Sequence, residues 1–457
     1  MPVYERKSHI DVSVKELFDW HNQPGTFERL TPPWERVRVI ERKGGVADRG
    51  RLVLEMKQGP FRRRWVAVHG NYVEGRQFAD EQVQGPFKKW VHTHKFLPET
   101  ETTSLLEDHI EYQPPLGLPG QWLAGPYLSR RIDKLFSFRH NRTQNDLKRY
   151  HPFVGRGPLK IAMAGASGMI GATLKSFLAC GGHQITTLVR CAPKPDTSEV
   201  FWDPSRHGLD KTSIEGMDAV IHLGGESIAS GRWTASRKDR ILRSRVDSTR
   251  FLSEALASLK RPPKVLLVSS AIGFYGNRGD EVLTEGSPAG KGFLSEVCQA
   301  WEAAAEPARK AGIRVVHIRT GIVLSRTGGA LAQMLPPFLM GVGGRLGQGN
   351  QWMSWISLDD LIGIFHYLLY AENLSGPVNA AAPGAVTNRD FTKTLGKVLK
   401  RPAFLPLPAL VIRMIFGEMG EALLLEGQRV TPAKLTAAGF NFLHPDLESA
   451  LRWELGH

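Results

Sequence analysis

Three glycines at intervals of three residues are the first feature of this sequence that could carry chemistry. Gly165, Gly168 and Gly171 follow the apolar run LKIAMA and precede a helical pattern. In such a loop the first glycine allows a tight turn, the second lets a pyrophosphate approach the main chain, and the third lets the helix pack closely on the sheet. The free N–H groups and positive dipole end of the helix then face the phosphates. The spacing therefore predicts a dinucleotide site.

The end of the next predicted strand indicates which dinucleotide the loop binds. Sites for NAD usually carry an acid there, which binds the ribose hydroxyls. The strand QITTLVR ends instead in Arg190. The planar donors of an arginine suit a 2′-phosphate. We therefore expect NADP(H) to be preferred over NAD(H); the alternative is a surface arginine that only ends a strand.

Length and composition indicate a folded protein of at least two domains. The 457 residues exceed the ~100–200 of a typical domain, and 42% hydrophobic with 23% charged residues is typical of a soluble protein. The net charge of +14 is spread along the chain without a recognition module, so we expect no nucleic-acid partner.

A charged N-terminus, and no apolar run of ~18 residues, predict a cytoplasmic protein without a transmembrane segment. The cysteines fit no zinc spacing and are expected as reduced thiols.

Residues 1–150 predict an α+β domain. A strand at Val3–Ile10 precedes a helix that Asp11 or Ser13 could cap, and strand-like runs separated by turn residues lead to a long basic helix. This order, with the phrases HNQPGTFERLTPPWERV and GPFKKWVHTHKF, resembles the START-like (polyketide cyclase/SRPBCC) superfamily. The resemblance implies a helix-grip fold, in which a curved sheet wraps a long helix around an apolar cavity. A hydrophobic compound is the implied ligand.

The remainder of the chain alternates strands and helices. After a Gly/Pro-rich linker at 151–158, residues 159–400 predict a doubly wound parallel α/β sheet of the Rossmann type, and residues 401–457 a helical extension. The motifs GASGMIG, HLGG and VSSAIGFYG resemble the extended short-chain dehydrogenase/reductase (SDR) superfamily. The segments GGESIASGRWTASRKDRILRSRVDST and PAKLTAAGFNF narrow the resemblance to atypical epimerase-family proteins. That family implies an NADP(H)-binding domain and brings no established reaction.

The glycine loop and the resemblance together give a set of expected cofactor contacts. We expect the cofactor to be bound by Gly165, Ser167, Gly168, Met169, Ile170, Gly171, Arg190, Leu223, Gly224, Gly225, Ser269 and Arg319.

The residues that usually perform SDR chemistry are only partly present. The resemblance implies a tyrosine that transfers a proton, a lysine four residues later that lowers its pKa, and a serine that binds the carbonyl. Ser270 matches the serine. If Glu302 is aligned with the acid that usually follows the lysine, Leu294 and Cys298 occupy the tyrosine and lysine places. Tyr275 is the tyrosine nearest to Ser270 in the sequence and could transfer the proton; the alternative is that it only packs against its neighbours.

Two functions therefore stay open. In one, the chain is an oxidoreductase or epimerase-like enzyme that acts on a small molecule, with Ser270 and Tyr275 as candidate catalytic residues. In the other, it binds NADP(H) without turnover and serves as a regulatory or ligand-sensing protein. The substrate and the oligomeric state do not follow from the sequence.

Two further clusters could carry chemistry. His92 and His94 alternate along a strand and so share a face, with His109 and His140 as further candidates. This spacing supplies at most two ligands, and we expect no metal site. The acids Asp359 and Asp360, in ISLDDLIGIFHYLL, are expected at a helix N-terminus rather than as a catalytic pair.

Overall fold

The computed structural model describes residues 2–59, 61–115, 117–195 and 197–457. The chain divides into two compact units. The N-terminal unit extends to Gly157 and also includes Ala179–Gly182 and Gly456, and the C-terminal unit comprises the other residues from Pro158 onward. The expected linker at 151–158 contains a short 3-10 helix, His151–Arg156.

The N-terminal unit combines an antiparallel sheet with helices. Its elements in chain order are β1 (Val3–Ile10), α1 (Val14–Asn22), α2 (Thr26–Leu30), β2 (Val37–Lys43), β3 (Arg51–Gln58), β4 (Phe61–Val73), β5 (Gln77–Gln84), β6 (Lys89–Pro98), β7 (Ser104–Gln113) and α3 (Gly117–Tyr150). The strand order is β1-β7-β6-β5-β4-β3-β2. Strand β1 thus pairs with β7 at one edge, and the following strands form a meander.

Local sequence explains how these elements begin and which face they bury. Ser13, one of the two expected caps, begins α1: its hydroxyl accepts from the Glu16 N–H at 3.2 Å, and Glu16 Oε2 accepts from the Ser13 N–H at 3.2 Å. In β6, buried residues alternate with half-buried ones, which directs one face inward. Helix α3 packs Phe136 against that face, in a cluster with Trp90 and Ile110.

The C-terminal unit alternates strands and helices. Its strands are β8 (Lys160–Ala164), β9 (Gln184–Val189), β10 (Glu199–Asp203), β11 (Gly208–Leu209), β12 (Ala219–His222), β13 (Val265–Ala271), β14 (Val282–Leu283), β15 (Arg314–Thr320), β16 (Ile322–Leu324), β17 (Trp352–Met353), β18 (Trp355–Ser357), β19 (Gly376–Ala380), β20 (Val386–Thr387) and β21 (Arg429–Val430). Its helices are α4 (Met169–Cys180), α5 (Ala235–Ala257), α6 (Phe293–Ala303), α7 (Glu306–Lys310), α8 (Gly329–Leu339), α9 (Leu358–Tyr370), α10 (Asn388–Leu399), α11 (Ala409–Phe416), α12 (Glu418–Gly420), α13 (Ala433–Ala437) and α14 (Leu447–Leu455).

The main sheet of this unit confirms the predicted parallel α/β architecture. Its order is β11-β10-β9-β8-β12-β13-β15-β19, and the pairs from β10 to β19 are parallel. Strand β8 lies between β9 and β12, so the winding of the chain reverses beside β8. Ligands of open α/β sheets bind outside the carboxyl ends of the strands at such a reversal. None of the helices among the described residues combines the length and apolarity needed to cross a bilayer.

Candidate cofactor site and the neighbouring polar network

The glycine loop connects β8 to α4 at the reversal point of the sheet. Gly165 has a φ of +84°, and a Cβ there would lie 3.0 Å from the carbonyl carbon of Leu223. A Cβ on Gly171 would lie 2.1 Å from the Gly165 carbonyl oxygen. Both positions therefore exclude a side chain, for the two reasons that the sequence predicted: a tight turn and a close approach of the helix.

Gly168 differs from its two neighbours in the motif. A Cβ there would make an ordinary contact, 3.5 Å from the Gly165 carbonyl oxygen. The protein itself thus leaves room for a side chain, and a ligand that approaches the main chain would require the glycine. The Gly168 carbonyl accepts from the Ala172 N–H at 2.8 Å, so α4 begins here with the N–H groups of its first turn directed beyond the helix end. Met169 and Ile170 lie in this first turn, and Ser167 lies in the loop just before it.

Arg190 lies at the same edge of the sheet as the glycine loop. Ala164 in β8 pairs with Leu188 in β9 in parallel register, and Arg190 comes two residues after Leu188. Its side chain is exposed. The bare loop, the helix N-terminus and this exposed guanidinium fit a dinucleotide that carries an additional phosphate.

The segment Leu223–Gly225 packs against the loop from β12. The Leu223 N–H donates to the Ala164 carbonyl at 3.0 Å. His222 supports the segment: its Nδ1 lies 3.4 Å from the Gly224 nitrogen, and its Nε2 lies 3.0 Å from the Ser248 hydroxyl. Because that hydroxyl donates its proton to the Ser244 carbonyl at 2.7 Å, Nε2 is the donor to Ser248 and Nδ1 is the acceptor. Burial lowers the pKa of His222 to about 4, so the ring is neutral and structural.

A half-buried carboxylate in α6, Glu302, organises the end of β13. Glu302 Oε1 accepts from the Ser270 hydroxyl at 2.7 Å and from Arg319 Nε at 2.8 Å, and Glu302 Oε2 accepts from Arg319 Nη2 at 2.8 Å. Burial, the largest single cause, lowers the pKa of Arg319, but Glu302 and Tyr275 together raise it, so the net shift is upward. In the sequence analysis Glu302 served only to align the helix with the family, and its pairing with Arg319 and Ser270 was not predicted.

Tyr275 belongs to the same network. It is fully buried, its hydroxyl donates to Asn379 Oδ1 at 2.6 Å, and it accepts from Arg319 Nη1 at 3.0 Å. Burial raises the pKa of this phenol, the opposite of the shift that a catalytic tyrosine of this superfamily receives from its lysine. The arrangement favours the packing role; catalysis by Tyr275 and by Ser270 stays a prediction. All three Arg319 nitrogens are bonded within the protein, which favours a structural role over its expected cofactor contact.

Helix α6 presents the residues that replace the usual tyrosine and lysine. Leu294, Cys298 and Glu302 follow each other at intervals of four and therefore share one face. Leu294 lies against Gly273, where an added Cβ would be 3.2 Å from the leucine Cβ, and Cys298 Sγ lies 3.6 Å from the Ala271 carbonyl oxygen. Burial raises the pKa of Cys298 to about 11, so it is a protonated thiol. Ser269, one position before Ser270, is half-buried.

The acids at the start of α9 occupy a helix N-terminus, as expected. Ser357 caps the helix, with its hydroxyl 2.8 Å from Asp360 Oδ2. Asp360 also accepts from the Leu443 N–H at 2.7 Å, and Asp359 accepts from the Trp453 indole N–H at 2.5 Å. Their oxygens thus join α9 to the C-terminal segment.

A cavity of about 780 Å³ lies within the N-terminal unit. Most of its wall is apolar, with Leu54, Met56, Trp65 and Trp90 among the lining residues. His92, His94 and Asp80 line it as well and give it one polar region.

Fold and site together define a dinucleotide-binding α/β protein with an additional cavity-containing domain, and comparison with known proteins agrees. Residues 161–381 match the NAD dependent epimerase/dehydratase family, residues 10–138 the polyketide cyclase/dehydrase and lipid transport family, and residues 407–454 a domain of unknown function.

The relatives identify the family. An epimerase family protein of Mycobacterium bovis is 42% identical over 64% of this chain and 96% of its own length. The crystal structure of a nucleoside-diphosphate sugar epimerase from Corynebacterium glutamicum is similar over 99% of this chain and 90% of that chain, with 33% identity and a TM-score of 0.81. The structure of human SDR39U1 with NADPH covers 64% of this chain and 98% of its own, with 35% identity and a TM-score of 0.59. The chain belongs to the epimerase family.

Proposed function

We propose that the C-terminal unit binds NADP(H) and that the chain is an NADP(H)-dependent oxidoreductase or epimerase-like enzyme. The main support for NADP(H) as the cofactor is the position of Arg190. This residue is exposed at the same sheet edge as the glycine loop, in the place where NAD sites have an acidic residue. The human relative, whose structure contains NADPH, supports this choice. Calorimetric titration of the purified chain with NADPH and NADH tests it.

The chain's own residues have distinct parts in this proposal. Gly168 and the first turn of α4 bind the pyrophosphate, and Arg190 binds the 2′-phosphate. Leu223–Gly225, together with Ser269, line the site beyond the loop. When bound, the nicotinamide accepts or supplies a hydride. Because Leu294 and Cys298 cannot supply the usual tyrosine–lysine acid, proton transfer falls to another group, and Ser270, which matches the serine of the resemblance, is the candidate.

A second candidate function is binding of NADP(H) without turnover. The internally satisfied network favours it, since Ser270, Tyr275 and Arg319 are all bonded within the protein. Oxidation of NADPH in the presence of a panel of carbonyl compounds and nucleoside-diphosphate sugars separates the two. Turnover that Ser270→Ala reduces supports the enzyme, whereas tight binding without turnover across the panel supports the regulatory function.

For the N-terminal unit we propose a START-like helix-grip fold that binds a hydrophobic compound. The cavity of about 780 Å³, with its largely apolar wall, supports this. Native mass spectrometry of the purified chain, and titration with an environment-sensitive apolar dye, test it. Met56→Arg places a charge in the cavity and should abolish dye binding, whereas Val83→Arg on the exposed face of β5 should not.

A further inference from the structure

The polar region of the N-terminal cavity contains a set of residues that the sequence spacing did not reveal. His92 and His94 are two residues apart in β6 and share its inward face. In the neighbouring strand β5, Asp80 is the direct partner of His92. In the strand on the other side, β7, Asp108 is the direct partner of His94. The sheet register thus brings two carboxylates to the two imidazoles.

We propose that Asp80, His92 and His94 bind one divalent transition-metal ion whose open coordination positions face the cavity. Each residue offers one ligand atom, and these atoms lie within 4.8 Å of one another. Asp80 Oδ1 lies 3.1 Å from His92 Nδ1 and 3.8 Å from His94 Nε2. Ligand atoms around a tetrahedral ion with bonds of 2.0–2.1 Å are about 3.3 Å apart, so the three atoms need only small shifts to coordinate one ion.

The second nitrogens of both histidines face a single buried carboxylate. Asp108 Oδ1 lies 3.0 Å from His92 Nε2 and 2.7 Å from His94 Nδ1. Histidines that bind a metal almost always donate their other N–H to such a group, which fixes the tautomer and the ring orientation. Asp108 is held in turn by His140, whose Nε2 lies 2.9 Å from Asp108 Oδ2 and whose Nδ1 lies 2.9 Å from the Ser8 hydroxyl.

His94 is the residue that most directly indicates a missing partner. Its side chain is buried, and among the described residues its Nδ1 makes no hydrogen bond, although Asp108 Oδ1 lies 2.7 Å away. Its Nε2, at 3.8 Å from Asp80, is beyond hydrogen-bond distance. A buried ring nitrogen without a hydrogen bond is costly. A metal at Nε2 would satisfy one nitrogen, and a small ring rotation would bring the other into line with Asp108.

The donor set indicates the class of ion and its use. Two imidazoles with one carboxylate suit zinc, iron or cobalt in the divalent state rather than magnesium or calcium. Three protein ligands leave at least one position for an outside oxygen atom, as in catalytic rather than structural sites. Because all three residues line the cavity, the ion would bind a carbonyl or hydroxyl oxygen of a largely apolar compound held there. The competing arrangement is a metal-free cluster, in which a proton on His92 satisfies both carboxylates.

Titration of the chelator-treated full-length chain with Co²⁺, followed by its visible absorption and by displacement with Zn²⁺, tests the proposal. The expected result is one Co²⁺ per chain, with affinity at least about 100-fold weaker in Asp80→Asn and in His94→Gln. Asp108→Asn, as a positioning change, should weaken binding about 10–100-fold. The control is His109→Gln, because His109 lies in β7 beside Asp108 but on the opposite face; it should bind as the unaltered chain does.

Absence of stoichiometric binding, or affinity that Asp80→Asn and His94→Gln leave unchanged, would overturn the proposal and favour the metal-free cluster. If the variants do not fold, electron paramagnetic resonance of Cu²⁺ bound to the unaltered chain decides. Coupling to two imidazole nitrogens supports the site, and any other nitrogen count contradicts it. The result leaves the proposed NADP(H) function untouched, because the titration involves no nucleotide.

Discussion

Arg319 and Glu302 form a two-point ion pair inside the C-terminal unit, with Nε–Oε1 and Nη2–Oε2 distances of 2.8 Å each. Through this pair, the end of β15 is joined to α6 and, by way of Ser270, to β13. The resemblance to short-chain dehydrogenase/reductases implies that the usual catalytic groups lie on two of these elements, β13 and α6. In this chain Ser270, Glu302, Arg319 and Tyr275 are hydrogen-bonded to one another. The first two predictions follow from this network.

Replacement of Glu302 by glutamine should strongly destabilise the C-terminal unit. The change leaves the Arg319 guanidinium, which is almost fully buried, without its counter-charge. Removal of one partner from such a pair costs about 3–5 kcal/mol in the free energy of unfolding. Urea denaturation followed by tryptophan fluorescence measures the change. The control is Glu306→Gln, which breaks the exposed pair with Arg309 and should leave the denaturation midpoint unchanged. Equal midpoints for both variants would contradict the structural role of the network.

Tyr275→Phe should lower stability rather than affect cofactor binding. Without the hydroxyl, Asn379 Oδ1 loses a donor and Arg319 Nη1 loses an acceptor in a dry interior. Unsatisfied groups of this kind cost about 1–3 kcal/mol. Thermal melting should show the loss, and calorimetry should show unchanged NADPH affinity. Unchanged melting combined with lost turnover would instead give Tyr275 the catalytic role.

The glycine loop offers a matched pair of substitutions. Gly171→Ala forces a methyl group to 2.1 Å from the Gly165 carbonyl oxygen and should prevent correct folding of the loop. Gly168→Ala meets its nearest atom at 3.5 Å and should leave the melting temperature unchanged. It should nevertheless weaken NADPH binding at least about tenfold, or about 1.4 kcal/mol, because the methyl group occupies the space of the pyrophosphate. Full affinity in Gly168→Ala would show that the nucleotide does not approach this loop.

Stability of the C-terminal unit should fall as the pH is lowered below the ordinary pKa of histidine. Burial lowers the pKa of His222 from 6.5 to about 4 in the folded chain. Between these values the unfolded chain binds a proton that the folded chain does not, so unfolding becomes easier as the pH falls, and the effect levels off below about 4.

The variant His222→Asn isolates this effect, because its side-chain oxygen can replace Nδ1 as the acceptor for Gly224. Melting temperatures measured between pH 7 and pH 4.5 should depend less steeply on pH in the variant. Parallel curves for the two proteins would mean that His222 titrates normally in the folded chain.

Sequence reasoning located features whose cause is local. The glycine spacing, the arginine at the end of the second predicted strand and a helix cap at Asp11 or Ser13 each follow from short-range rules of turns and helix ends. The structure has a tight turn at Gly165 and a capping box at Ser13, and its second strand ends at Val189, directly before Arg190. Sequence reasoning missed the contacts that depend on how segments distant in the chain pair and pack. Asp80 becomes a possible third ligand only because it pairs with His92 across the sheet, and Glu302 meets Arg319 only through packing of α6 on β15. Phe78 and Asp80 are two residues apart in β5 and therefore share a face. This spacing was the sequence feature from which the inward position of Asp80 could have been predicted.

The preference for NADP(H) through Arg190 is the central claim, and titration calorimetry with NADPH and NADH tests it most directly. The unaltered chain should bind NADPH at least about tenfold more tightly, a difference of about 1.4 kcal/mol, and Arg190→Asp should remove that preference. Arg250→Asp, at an exposed position of α5, serves as the charge-matched control and should retain it. An NADPH-to-NADH affinity ratio that Arg190→Asp leaves unchanged would contradict the claim.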